Sequence, residues 1–133
     1  MASLLLVTED NGFATAVEAL SSADLTVTRA HAEEAVAVAR HDLPDVLAVD
    51  TDSIVEAKPL IATLSLVTRS IVVAVARQAW PGSEAADAWR DAGAEAVLPK
   101  PSGAASPSLA GADREAYAQW FADLVRTSRE NAP

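Results

Sequence analysis

Apolar and polar positions fall into short blocks along this chain, and the blocks change period in a regular way. Leu4-Leu5-Leu6-Val7-Thr8 is a continuous run without helical spacing that ends on Glu9-Asp10, which predicts a strand buried on both faces, as in a parallel sheet. Asn11-Gly12 marks a turn, after which Phe13, Val17 and Leu20 recur at helical spacing and predict a first helix ending near Ser21-Ser22. Leu25 to Arg29 alternates and is rich in β-branched residues, the pattern of a second strand. A second helix over His31 to His41 sets Ala32, Ala35, Val36 and Ala39 on one face and Glu33, Glu34 and Arg40 on the other. Pro44 then opens a third strand, Val46 to Val49, which delivers Asp50 to its end.

The remaining blocks repeat the alternation. Pro59 suits the first turn of a third helix running to Val67, and Ile71 to Ala76 is a nearly all-apolar fourth strand. After the loop Gln78-Ala79-Trp80-Pro81-Gly82, Ser83 is placed to cap a fourth helix that stops at Gly93, and Ala96 to Leu98 is the fifth strand. From Ser102 to Gly111 the composition turns to small residues, which predicts a flexible linker between a core over residues 1–101 and a last helix over 112–131. Tyr117, Trp120, Phe121, Leu124 and Val125 form the apolar stripe of that helix. Strict strand-helix alternation means an α/β domain with a parallel sheet and right-handed crossovers. Ligands of such sheets collect at the carboxyl ends of the strands, where Glu9, Asp10, Asp50 and Lys100 all fall.

Composition narrows the function. A chain of 133 residues is enough for one domain with its own core, and the absence of cysteine removes disulfides and thiolate metal sites. The formal charge of −9 argues against nucleic acid, because phosphate repels an acidic surface that has no Lys/Arg cluster. A divalent cation, or a partner with a basic or apolar patch, fits that charge better. No apolar run reaches the length of a membrane span, and the first residues carry no basic leader, so a cytoplasmic location is expected. His31 and His41, at opposite ends of one helix, are not spaced as a metal pair.

Three stretches together carry a family resemblance: Glu9-Asp10 after the first strand, Pro44-Asp45-Val46-Leu47-Ala48-Val49-Asp50, and Gly93-Ala94-Glu95-Ala96-Val97-Leu98-Pro99-Lys100-Pro101. Over about three quarters of its length the chain resembles the receiver domain of bacterial response regulators. The resemblance implies a flavodoxin-like three-layer sandwich with a five-stranded parallel sheet of order 2-1-3-4-5. It implies that Asp50 accepts a phosphoryl group from a histidine kinase, and that Glu9, Asp10 and Asp50 hold Mg²⁺ with the backbone carbonyl of Asp52. It also implies that Lys100 pairs with the phosphoryl oxygens. A carboxylate attacking phosphorus needs a hard cation and a fixed ammonium to absorb the developing charge, so these residue types suit that chemistry.

The sequence departs from the family at its switch. Where receivers end the fourth strand with a hydroxyl residue, this chain has Ala76 followed by Arg77, and where they place an aromatic three residues before the lysine, it has Val97. Two readings follow: a phosphorylated receiver with a different lever, Arg77 being one candidate, or a phosphorylation-independent interaction or localisation module. The chain is then a stand-alone regulator or the leading module of a longer protein. Contacts with other signalling proteins, and a homodimer through the fourth helix, fifth strand and last helix, are expected in either case. Asp50-Thr51-Asp52 also matches the nucleophile motif of aspartate-dependent phosphatases, although there it would open the fold, so a non-enzymatic role is the stronger expectation.

Overall fold

In the computed structural model described here, residues 2–19, 21, 23, 25–76, 82–99 and 119 are described. Five strands, β1 (Ala2–Val7), β2 (Leu25–Ala30), β3 (Val46–Asp50), β4 (Ile71–Ala76) and β5 (Ala96–Pro99), form one sheet of order β2-β1-β3-β4-β5 with every neighbour parallel. Between them run α1 (Asn11–Glu18), a 3₁₀ turn (Ala32–Glu34) continuing into α2 (Ala35–Asp42), α3 (Ala57–Val67) and α4 (Glu84–Ala92). This is the flavodoxin-like sheet that the resemblance implied. The expected linker, the last helix with its aromatic stripe, Arg77, Trp80 and Lys100 lie outside the described residues.

The period-two rule of a strand splits the core into two layers. Leu4 and Leu6 of β1 with Val46 and Ala48 of β3 face one side, where Phe13, Ala14 and Val17 of α1 cover them. Leu5, Val7, Leu47 and Val49 face the other side, with Ala35 and Ala39 of α2, Ile61 and Leu64 of α3, and Ala86 of α4. Central strands β3 and β4 are buried along their whole length, which explains why their sequences show no polar alternation.

Helix ends follow local chemistry. The Asp10 side chain accepts from Phe13 N–H and starts α1, while Ser83 accepts from Ala86 N–H and starts α4 as its sequence position predicted. Helix α3 begins two residues earlier than Pro59 suggested, because a proline in the first turn has no intrahelical N–H bond to lose. Helix α1 stops at Glu18, short of the serines where its apolar spacing was expected to carry it. The second helix begins later than expected because its first turn is 3₁₀, fixed by Glu34, whose carboxylate accepts from the His31 N–H at 3.0 Å. Gly93, at φ +126°, ends α4 in a conformation that L side chains rarely adopt, and turns the chain into β5.

Candidate functional site

Strand register determines which side chains meet at the carboxyl edge. Val7 pairs with Val49 across β1 and β3, so the next residues, Thr8 and Asp50, emerge side by side. Both continue the rows that face α1, Leu4-Leu6-Thr8 and Val46-Ala48-Asp50, and both are fully buried. The Thr8 hydroxyl donates to Asp50 Oδ2 at 2.8 Å. The Thr8 hydroxyl oxygen in turn accepts from Asp10 N–H at 3.0 Å and lies 3.2 Å from the Ser53 hydroxyl. Backbone wraps the other side of Asp50: Asp52 N–H reaches Oδ1 at 3.3 Å, and Ser53 N–H reaches the Asp50 carbonyl at 3.3 Å. Thr51 extends the strand edge, its N–H and hydroxyl both directed at the Val75 carbonyl at 2.9 and 3.1 Å.

Glu9 stands on the opposite parity and goes elsewhere. Its carboxylate accepts from the Ala32 N–H at 2.8 Å and meets His31 Nδ1 at 2.9 Å, so it ties the end of β1 to the start of the 3₁₀ turn. The Ala32 hydrogen bond, then the His31 one, hold the Glu9 carboxyl below its ordinary value even though it is exposed to solvent. The Asp10 carboxylate accepts from the Phe13 N–H at 3.0 Å as the cap of α1. Asp52 is an exposed loop residue. Arg29 braces the corner by donating from Nε and Nη2 to the Thr8 carbonyl at 3.3 and 3.1 Å.

The expected acids are therefore divided between three tasks: Asp50 inside, Asp10 on a helix end, Glu9 on the neighbouring loop. Mg²⁺ takes oxygen ligands in near-octahedral geometry and favours sites with anionic donors. Among the described residues no group of three or more acidic, histidine or cysteine side chains is placed to hold a metal ion. Thr8 brings a neutral hydroxyl, not a carboxylate, against Asp50 Oδ2, so the described residues do not fit the expected Mg²⁺ cradle. Ala76, 3% exposed, ends β4 opposite Pro99, and Val97, 8% exposed, pairs with Ala74 and packs into the layer beneath α2, α3 and α4. Neither offers a hydroxyl or a ring to move.

Thr8 and Ser53 are the site residues that sequence reasoning did not single out. A parity count along β1 would have found Thr8, because a strand that buries Leu4 and Leu6 on one face must send residue 8 to that face as well. Ser53 carries no such signal, since its place depends on the turn after β3.

No family model and no curated relative matches the sequence. Solved structures do match. The response regulator domain of Thermotoga maritima CheB aligns at a TM-score of 0.77 and 17% identity, over 100% of this chain and 99% of that one. A two-component response regulator from Clostridium difficile aligns at 0.73 and 15%, over 99% and 100%. The structure of the CheA3 P1 domain in complex with CheY6 from R. sphaeroides aligns at 0.73 and 19%, over 94% and 97%. At such identities the shared property is backbone architecture, and the architecture of this chain is that of the response-regulator receiver domain.

Proposed function

We propose that this chain is a receiver-fold signalling module that acts by protein contact, without phosphorylation of Asp50 and without catalytic turnover. The observation that carries this reading is the enclosure of Asp50: the residue is fully buried, and its Oδ2 is held by the Thr8 hydroxyl. A carboxylate that attacks phosphorus must present a lone pair to an incoming donor and must have positive charge nearby for the anion it creates. Among the described residues the Thr8 hydroxyl and the Asp52 N–H hold the Asp50 carboxylate, and the Ser53 hydroxyl and N–H hold its backbone carbonyl, contacts suited to the anchor of a turn.

Two further features support the reading. The switch positions Ala76 and Val97 are packed aliphatic residues, so a phosphoryl group would find no hydroxyl or aromatic there to relay its arrival. Glu9 is engaged by the loop after β2, which removes one acid from the cation site that phosphoryl transfer needs. The same enclosure weighs against a phosphatase built on Asp50 and Asp52. Among the described residues no helix is long and apolar enough to cross a membrane, and the chain's acidic charge turns it toward protein partners.

The test is incubation of the full chain with acetyl phosphate and Mg²⁺, followed by intact-mass measurement. The reading predicts no mass increase on the wild type. A phosphoryl adduct that disappears in Asp50→Asn overturns it in favour of a phosphorylated receiver with Lys100 and Mg²⁺ in their family roles.

A further inference from the structure

Beside the buried Asp50 lies a surface feature that the carboxyl-edge chemistry does not use. A groove of about 620 Å³ runs between the 3₁₀ turn and α2 on one side and the start of α3 on the other. Val36, Val55, Pro59 and Leu60 are among its apolar lining residues. Val55 is the extreme case: it is 100% exposed, a β-branched aliphatic side chain held in water on the turn that leads into α3. Glu9, Glu33 and Glu56 form the rim, and the lining contains no lysine, arginine or histidine. Glu33 and Glu56 make no ion pair among the described residues.

We infer that this groove docks a basic amphipathic segment of a partner protein, laid along α2 and α3 with its apolar face on Val55 and Leu60 and its Lys/Arg residues against Glu33 and Glu56. The inference deepens the proposed function by naming a surface for its contacts, and rests on that reading. An amphipathic helix in a groove is read by apolar anchors one turn apart, and the charges at the rim set its partner and orientation. Charge selects the occupant. A second copy of this chain, at a formal charge of −9, would bring acid to acid, and nucleic acid would do the same. Glu9 holds one wall in place, since its bond to Ala32 N–H fixes the 3₁₀ turn relative to β1.

The test uses a synthetic peptide of about 16 residues with Leu at i, i+3, i+4 and i+7 and Lys elsewhere, titrated into the full chain and followed by ¹H–¹⁵N NMR. Two control peptides accompany it, one with the same residues scrambled and one with Glu in place of Lys. The expected result is saturable shifts of the Val36, Val55 and Leu60 amides with the Leu/Lys peptide alone, weakened about tenfold by Val55→Asp and by the pair Glu33→Lys and Glu56→Lys. Equal binding of the scrambled peptide, shifts centred on α4 and β5, or affinity unchanged by those substitutions overturns the groove. Shifts of the same amides that depend on protein concentration without peptide assign it to a second copy and overturn the basic-partner inference. These outcomes are distinct from phosphoryl labelling of Asp50, which tests the proposed function and leaves peptide mapping unaffected.

Discussion

Thr8 and Asp50 share a 2.8 Å hydrogen bond at the carboxyl ends of two adjacent strands, where neither side chain reaches solvent. A hydroxyl has one proton to give, and this one goes to the residue that in a receiver would be the phosphoacceptor. The bond holds the turn after β3 to the end of β1, and the surrounding N–H groups of Asp10, Asp52 and Ser53 are organised by the same pair.

Thr8→Val keeps the shape of the side chain and removes its hydrogen bonds, so the buried Asp50 carboxyl loses the Thr8 donor. The expected loss is about 1–3 kcal/mol of unfolding free energy, measured by urea denaturation. A change within experimental error would mean that the pair is not an anchor.

Thr8→Asp places a second carboxyl beside the first in a buried setting, where like charges oppose each other. The variant should melt below the wild type in metal-free buffer and recover as millimolar Mg²⁺ is added, because a cation that binds only the folded form stabilises it by mass action. The wild type should show no such response. Calorimetry with and without Mg²⁺ separates the two, and a Mg²⁺-dependent melting temperature in the wild type contradicts the account.

Sequence patterning and structure agree closely on the elements and less closely on the site. The fourth strand was legible to the residue, because an all-apolar run bounded by Ser70 and Arg77 has few alternatives. The Ser83 cap and the Gly93 stop were legible for the same local reasons. Asp50 was legible as a strand-end carboxyl, but its burial was not, because burial depends on Thr8 from a strand 42 positions away. Glu9 and Asp10 looked equivalent as neighbours in sequence. Alternating strand faces and the cap of α1 send them to different partners.

The Glu9 bond to the Ala32 N–H should show itself in acid. The folded-state carboxyl lies below its ordinary value of 4.5, so the contact's contribution is complete above that pH and is lost as pH falls through the lower folded value. Glu9→Gln should therefore be less stable than the wild type at neutral pH, with the difference shrinking below pH 4.5. Urea midpoints measured across that range give the sign, and a difference that widens in acid contradicts it.

Gly93→Ala should be destabilising. At φ +126° the new Cβ would lie 2.9 Å from the Ser65 hydroxyl oxygen of α3, so backbone strain and crowding add. About 1–3 kcal/mol is expected from strain of this kind, read from the shift in chemical denaturation. Pairing it with Ser65→Gly should recover only the crowding part, since the backbone angle is unchanged; full recovery would show that the angle carries no strain.

The most direct measurement is a titration of the full chain with beryllofluoride and Mg²⁺, watched through the amides of Thr8, Asp50 and Asp52 by ¹H–¹⁵N NMR. With Asp50 enclosed and hydrogen-bonded as described, those resonances should stay where they are at millimolar reagent, in the wild type as in Asp50→Asn. Saturable shifts in the wild type that Asp50→Asn abolishes would show an accessible phosphoacceptor and contradict the account.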